Sequence, residues 1–347
     1  MTRWQQQLSQ SEAALADLRA RGIAVEPCAA GHPVRLTPHL ARLIGDDPAT
    51  CPIARQFLPD PREGRHLPGE REDSVAEEPC KVADVLIHAY PDRALLMCTQ
   101  ECAAYCRFCF RKRLVGRPVE TDDERFTEAF AYLREHPEIH DVILSGGDPL
   151  ILDDERLDNL LGRLRQIPSV KVVRIHTRIL TALPERITAR LCALLARHEV
   201  MYVNCHVNHP AELTPEALAA ARRLRRAGIA LGSQTVLLKG VNDDLETMRA
   251  LCLALYHAGI QPYYLFHCEY VSGCGHFRPT LAAGQAIWHG LQGWISGMAV
   301  PRYVLDTPGL RKIPLYPGYA NAQPDGTWTL HNFQDRETVY REPGITE

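Results

Sequence analysis

From about residue 93 onward, short apolar segments alternate with amphipathic segments of helical period. Buried strands are predicted for RALLMCT, DVILSGG, VKVVRIHT, VMYVNCHV, IALGSQTVLL and IQPYYLFHC, and helices for the segments between them, such as LTPEALAAARRLRRAG. Strands and helices in this alternation form βαβ units around a parallel sheet. Six or seven such units in a row favour a full or partial barrel over a short doubly wound sheet.

We therefore predict an α/β fold, a (β/α)6-type partial barrel flanked by two extensions. The expected regions are residues 1–86, which are helical and irregular and wrap the core, residues 87–300, which form the barrel, and a C-terminal segment at residues 301–347. The first 22 residues have the pattern of one amphipathic helix that ends at Gly22. Residues 27–80 are rich in Pro, Asp, Arg and Glu and predict an irregular connector.

Charge and hydropathy exclude several classes of partner. The formal net charge of -3 gives no basis for binding nucleic acid or an anionic membrane. No run of about 18 apolar residues is present to span a bilayer, and the polar N-terminus lacks the apolar core of a secretory signal. We therefore expect a cytoplasmic protein. In that reducing compartment its 12 cysteines are not expected to form disulfides.

Four of the cysteines crowd into CTQECAAYCRFCFRKR, residues 98–113. A structural zinc site or a thioredoxin-like redox pair would explain part of this segment, but zinc ligands usually come as two separated pairs and a redox pair needs no third cysteine. The spacing CxxxCxxC of Cys102, Cys106 and Cys109 instead favours three thiolates on a [4Fe-4S] cluster with one open iron. Cys98 lies outside this motif, and we expect it to be a core residue, as for Cys28 and most of the other scattered cysteines.

The CxxxCxxC spacing after a first strand resembles the radical S-adenosylmethionine (SAM) superfamily. That resemblance implies that SAM binds the open iron, and that transfer of one electron cleaves SAM and gives a 5'-deoxyadenosyl radical. The turn after the second strand resembles the superfamily's motif for the SAM amino group. Residues at the ends of later strands are predicted to complete the SAM site. The predicted SAM contacts are Ser145, Gly146, Gly147, Asp148, His206 and Gln234.

Six ordered blocks, including HAYPDRALLMCTQECAAYCRFCFRKR and YVLDTPGLRKIPLYPGY, resemble the lysine 2,3-aminomutase family from about residue 33 onward. The resemblance implies a second cofactor, pyridoxal 5'-phosphate (PLP), which such enzymes attach to a lysine. Only five lysines are present, and Lys312 matches the PLP lysine of the family, with Lys239 as the alternative. Tyr90 and Arg93 match its phosphate contacts. The family commonly has arginine before this tyrosine, where the present chain has Ala89.

The same resemblance predicts the substrate. Arg111 matches the arginine that binds the substrate carboxylate, for which a planar guanidinium is well suited. Glu269 and Asp306 occupy positions where lysine-specific members carry two acids, so a basic side chain is expected. Glu269 is one methylene longer than the usual aspartate, and the interval from Asp306 to Lys312 is one residue shorter, with Arg311 in place of glycine. Lysine is therefore the leading substrate, and arginine or another basic amino acid is the alternative.

The predicted activity is an isomerase that moves an amino group from the α-carbon to the β-carbon of a basic amino acid. The expected partners are the amino acid, a one-electron reductant such as flavodoxin or ferredoxin, and further copies of the chain in a homo-oligomer. The tail has no cysteines for the structural zinc that members often carry between subunits. The remaining alternatives are a non-catalytic Fe–S or zinc protein and a radical SAM enzyme that has lost PLP.

Overall fold

The computed structural model of the chain describes residues 2–26, 31–117, 123–316 and 318–341. Ten strands form one sheet in which the order of the strands follows the order of the chain. These strands are β1 (Lys81–Ala83), β2 (Leu86–Tyr90), β3 (Arg93–Thr99), β4 (Asp141–Gly146), β5 (Val172–Thr177), β6 (Tyr202–His206), β7 (Ala230–Leu237), β8 (Gln261–His267), β9 (Arg302–Thr307) and β10 (Arg311–Pro314).

Strands β3 to β9 are all parallel to their neighbours, whereas β1, β2 and β10 add to the two edges in antiparallel fashion. Within the described ranges no ladder of hydrogen bonds joins β1 or β2 to β10, so the barrel is open along one side. The predicted partial barrel is therefore confirmed. The sheet runs from Lys81 to Pro314, across both predicted region boundaries, and the division at 86 and 300 stays a prediction.

The helices that precede β1 belong to the N-terminal extension, and the helices that follow β3 connect successive parallel strands. They are α1 (Arg3–Ser9), α2 (Ser11–Ala20), α3 (Pro38–Leu43), α4 (Pro52–Phe57), α5 (Asp123–Glu135), α6 (Asp154–Arg165), α7 (Ile179–Ala182), α8 (Ala189–Arg197), α9 (Pro215–Arg226), α10 (Leu245–His257) and α11 (Leu281–Leu291). Helix α9 shows how the sequence specifies them. The Thr214 hydroxyl caps its start, and Ala217, Ala221 and Leu224 recur at helical spacing on the buried face.

Both ends of the chain differ from the sequence prediction. The sequence predicted a single N-terminal helix, but the structure has two, α1 and α2, separated at Gln10. The break lets the ring of Trp4 pack 4.5 Å from the guanidinium of Arg186 while Leu18 enters the core. At the C-terminus, β11 (Ala320–Ala322), β12 (Thr327–His331) and β13 (Glu337–Arg341) form a small antiparallel sheet that the sequence pattern did not predict. No helix in the described ranges is long and apolar enough to cross a membrane.

The N-terminal extension holds the cysteine-rich loop in place through a buried ion pair. Arg107, between two of the motif cysteines, donates from Nε and Nη2 to the two carboxylate oxygens of Glu63 at 2.8 and 2.6 Å. Both side chains are fully buried. The Arg107 Nη1 group also donates to the carbonyl of Pro33, and the Arg107 amide donates to the carbonyl of Gln56. The extension therefore fixes the loop from outside the barrel.

We expect Glu63→Gln to lower the free energy of unfolding by about 3 kcal/mol, because it leaves the Arg107 charge buried without a counter-ion. Denaturant unfolding of the full chain measures this loss. Glu26→Gln is the matched control, since it removes an exposed partner of Arg19 and should cost less than about 1 kcal/mol. Equal losses for the two variants would contradict a special role for the buried pair.

Candidate active site

A cavity of about 730 Å³ opens at the carboxyl ends of the parallel strands. This is the end of a barrel at which loops of different strands meet. Every residue that the sequence predicted for the cluster, SAM, PLP and substrate lines this one cavity. The alternative lysine, Lys239, is exposed and lies outside it.

The three motif cysteines follow β3 and lie on the floor of the cavity. Burial raises the pKa of Cys102 well above its usual value, and the nearby Asp148 and the other two thiols raise it further. Burial, then Cys106, raises the pKa of Cys109 to about 12. Three buried thiols that destabilise one another's charge require positive charge to become thiolates, and iron supplies that charge.

One positive group is already present. Arg178, directly after β5, lies 2.7 Å from the sulfur of Cys106 through its Nη1. Its other terminal nitrogen, Nη2, donates to Gln56 Oε1 and Glu212 Oε2. Arg178 is itself largely buried, and its guanidinium lies over the ring of Phe57. The arrangement holds a fixed cation against the sulfur of a predicted cluster ligand.

The donor set fits an iron–sulfur cluster better than a single zinc ion. Within the part of the chain that the structure describes, no three His, Cys, Asp or Glu side chains are grouped to hold one metal ion. A cubane places each thiolate on its own iron and needs no such convergence. Cys98 packs in the core and does not line the cavity, as predicted. Of the other scattered cysteines, Cys51 and Cys80 are half-buried rather than buried, and Cys28 lies outside the described residues.

The glycine pair after β4 contacts the cysteine loop. Gly147 donates from its amide to the carbonyl of Thr99 at 2.6 Å, and the Asp148 amide donates to the carbonyl of Glu101 at 2.8 Å. A Cβ atom on Gly146 would lie 2.3 Å from the Thr99 carbonyl, and one on Gly147 would lie 2.2 Å from that of Glu101. Both positions require glycine, because the backbone of the cysteine loop lies too close for a Cβ atom. The close contact and the two hydrogen bonds hold the glycine turn and the cysteine loop together.

The carboxylate of Asp148 is largely satisfied by the protein. It accepts from the Thr177 hydroxyl at 2.7 and 2.9 Å, from the Arg178 amide at 2.6 Å and from the Leu150 amide at 3.1 Å. Burial raises the pKa of Asp148 to about 6, although these hydrogen bonds oppose the shift. Asp148 thus joins the ends of β4 and β5, and its predicted contact with SAM stays a prediction.

Polar atoms without partners lie on the wall where SAM is expected. Asn204 Oδ1 and Arg178 Nε are buried and have no hydrogen-bond partner, and both residues line the cavity. Next to them, His206 contacts Asn208 Oδ1 at 3.1 Å, and Gln234 lies beside His206 across the β6–β7 ladder. Burial, then Arg178, lowers the pKa of His206 well below its usual value, so the ring is neutral. Unsatisfied buried groups of this kind fit a polar ligand.

Lys312 projects into the cavity from β10 on the opposite side. Its Nζ donates to Asp306 Oδ2 at 2.6 Å and to the Tyr90 hydroxyl at 3.4 Å. Burial opposes its charge, but Asp306 and Tyr90 outweigh burial and raise the pKa of Lys312. Arg93 stacks on the Tyr90 ring with 3.7 Å between the guanidinium carbon and the ring centroid. A lysine, a tyrosine and an arginine grouped in this way fit PLP.

Arg111 lies between the two halves of the cavity, and its fork is already occupied. Nε and Nη2 donate to the carboxylate of Glu77 at 2.9 and 2.5 Å, and Nη1 contacts Ser145 Oγ and the Gly146 carbonyl. Of the five N–H groups of a guanidinium, one remains free of these contacts. The sequence prediction for Arg111 did not anticipate this carboxylate.

Glu269 lies near four other charged groups of the cavity, Asp306, Lys312, Glu77 and Arg111. Burial, and then the negative charge of Asp306, raise the pKa of Glu269 to about 8, with Lys312 opposing and Glu77 adding to the shift. Glu269 is therefore mostly protonated at neutral pH in the absence of a further cation. A cation that entered the cavity would stabilise its ionised form.

The charged cavity residues to which the sequence analysis gave no role include Glu77, Arg178 and Arg311. Arg178 carried a usable signal, because a charged residue directly after an apolar strand lies at the active end of a barrel. Glu77 carried none, because it belongs to the stretch predicted as an irregular connector. Arg311 was noted as unusual but received no role.

The chain belongs to the radical SAM superfamily, whose family model matches residues 96–252. Within it the chain belongs to the lysine 2,3-aminomutase family, whose model matches residues 288–346. The L-lysine 2,3-aminomutase of Fusobacterium nucleatum is 39% identical over 89% of this chain and 73% of that protein. The enzyme of the same name from Clostridium subterminale is 38% identical over 92% of this chain and 77% of that protein. Glutamate 2,3-aminomutase of Clostridioides difficile is 38% identical over 82% and 68%.

The protein is therefore an enzyme, a radical SAM aminomutase that resembles lysine 2,3-aminomutase, and the prediction of an isomerase is confirmed. Superfamily membership also confirms the predicted [4Fe-4S] cluster and SAM, and membership of the aminomutase family carries PLP. Relatives named for lysine and for glutamate are about equally similar to this chain. Similarity alone thus does not assign the substrate.

We expect Cys102→Ala, Cys106→Ala and Cys109→Ala each to abolish bound iron and the electron paramagnetic resonance signal of a reduced cluster, because each removes one of three ligands. Iron analysis and spectroscopy of anaerobically reconstituted protein measure both. Cys98→Ala is the control and should keep a full complement of iron. Loss of iron in the control, or its retention in any of the three variants, would contradict the ligand assignment.

Proposed function

We propose that this enzyme is a PLP-dependent 2,3-aminomutase of a basic amino acid, with L-lysine converted to β-lysine as the leading reaction. The observation that carries the proposal is that one cavity contains both sets of predicted cofactor-binding residues. Three cysteines with cluster spacing lie on one side, and Lys312 lies on the other between Tyr90 and Asp306. A non-catalytic cluster protein would not need the second group.

The proposed roles divide between the two sides. Cys102, Cys106 and Cys109 hold the cluster, and the turn at residues 145–148 with His206 and Gln234 holds SAM. Lys312 carries PLP, and Tyr90 and Arg93 contact its phosphate. When bound, the cluster and SAM supply a radical that removes a hydrogen atom from the substrate, and PLP supplies a conjugated ring that spreads the unpaired electron while nitrogen moves. A reductant such as flavodoxin or ferredoxin provides the electron, and we propose a homo-oligomer in the cytoplasm.

The acids of the cavity support a cationic substrate side chain. The negative charge of Asp306 disfavours ionisation of Glu269, and Glu77 adds a third carboxylate. A substrate ammonium would relieve this repulsion, whereas the carboxylate of a glutamate side chain would increase it. Arginine is the second candidate, because a planar guanidinium can engage two carboxylates at once.

Anaerobic protein reconstituted with iron, sulfide, SAM, dithionite and PLP tests the function. We expect β-amino products from lysine and more slowly from arginine, with turnover of glutamate lower by roughly a hundredfold because of like-charge repulsion. Lys312→Ala should abolish amino migration and leave reductive cleavage of SAM intact, and Lys239→Ala should leave both intact. Glutamate as the best substrate, or migration by Lys312→Ala, would overturn the proposal.

The ion pair between Glu77 and Arg111 makes a separate prediction. If the substrate carboxylate binds Arg111, it competes with Glu77 for the same fork. We expect Glu77→Gln to lower KM for lysine roughly fivefold with little change in kcat, because the competing charge is removed. Lysine amide, which has no carboxylate, is the control substrate and should show no such gain. A rise in KM for lysine would mean that Glu77 orients Arg111 instead.

A further inference from the structure

Arg311 lies at the open side of the barrel, where the two edges of the sheet approach each other. Its Nε donates to the carbonyl of Ala89 on β2 at 3.2 Å, although the residue itself starts β10. The side chain is half-buried and lines the cavity together with Tyr90, Arg93 and the adjacent Lys312. Arg311 is therefore placed beside the lysine to which we assign PLP.

Arg311 differs from the other arginines of the cavity in its partners. Each of the others has a carboxylate within ion-pair distance: Asp92 for Arg93, Glu77 for Arg111, Asp141 for Arg174 and Glu212 for Arg178. Among the described residues Arg311 contacts no carboxylate. Its partners are the Ala89 carbonyl and the sulfur of Cys80. A guanidinium in a cavity wall without an anion is suited to bind one from a ligand.

The backbone at Arg311 is held in a conformation that arginine disfavours. Its φ angle is +65°, in the left-handed region. Successive residues of a regular strand face opposite sides of a sheet. The left-handed residue interrupts that alternation, and both Arg311 and Lys312 line the cavity. Strain of this kind persists where a particular side-chain position is needed, and glycine would adopt the same angle without cost.

We propose that Arg311 binds the phosphate of PLP. This inference rests on the proposed function, because it requires PLP at Lys312. The phosphate is a dianion, and of the two arginines near Lys312, Arg93 already shares its charge with Asp92. Arg311 provides the unshared charge, and it lies against Ala89, the position at which the resemblance predicts an arginine that this chain lacks. Arg311 thus anchors the cofactor from the edge strand β10, across the open side of the barrel from β2.

Titration of full-length, cluster-loaded protein with PLP, followed by absorbance, tests the inference. We expect Arg311→Gly to raise the dissociation constant of PLP roughly tenfold or more, and Arg311→Lys to raise it less because the charge is kept. Without PLP, the melting temperature of Arg311→Gly should equal or exceed that of the parent, since glycine relieves the strained φ angle. Weaker binding could then not be attributed to a damaged fold.

Two controls separate phosphate binding from other effects. Pyridoxal, which lacks the phosphate, should bind the parent and Arg311→Gly equally. Asp335→Gly removes another residue of positive φ, outside the cavity, and should leave PLP binding unchanged. A PLP dissociation constant within twofold of the parent for Arg311→Gly, or an equal loss for pyridoxal, would overturn this inference alone. If the parent chain bound no PLP, both the inference and the proposed function would fail.

Discussion

The buried ion pair between Arg107 and Glu63 fixes the loop around which the rest of the cavity is arranged. Arg107 lies inside the cysteine motif, so a residue of the N-terminal extension determines where the three thiols lie. From the barrel side, the same loop is locked by hydrogen bonds to the glycine turn after β4. A loop held from both sides loses little further entropy when it binds a cluster, which is the physical benefit of pre-organisation. The extension is therefore part of the active site in effect, although it supplies few of its chemical groups.

The open side of the barrel determines which groups surround Lys312 and Arg311 in the cavity. A closed barrel would pair β1 or β2 with β10 and fill the space with backbone hydrogen bonds. Here side chains make the connection instead, since Lys312 contacts Tyr90 and Arg311 contacts the carbonyl of Ala89. Contacts between side chains can be replaced by contacts to a ligand at far lower cost than a strand ladder. The gap between the edge strands is thus a natural place for a cofactor that must be loaded after folding.

Periodicity and spacing were sufficient for the parts of the molecule that depend on local sequence. The parallel strands were predictable because buried strands appear as apolar runs, and a [4Fe-4S] cluster was predictable because three cysteines lie within eight residues. Contacts between segments that are distant in the sequence were not predictable. Glu77 meets Arg111 across 34 residues, and Arg178 meets Cys106 across 72, and no periodic signal marks either pair. The C-terminal sheet was missed because its strands have only three to five residues, and the outer two, β11 and β13, are exposed along their whole length.

The charges of the cavity also show why relatives with different substrates can share so much sequence. In the proposed function the cluster, SAM and PLP contact most of the assigned residues of the cavity, whereas the side chain of the substrate contacts only a few. In this chain Glu77, Glu269 and Asp306 face Arg111 and Lys312, and Lys312 is committed to the cofactor in the proposed function. Of the charged neighbours of Glu269, engagement of Lys312 would leave Arg111 as the cation beside Glu77 and Asp306. In the proposed function a basic substrate side chain offsets these negative charges and an acidic one adds to them, so a few charges of the cavity favour a basic substrate.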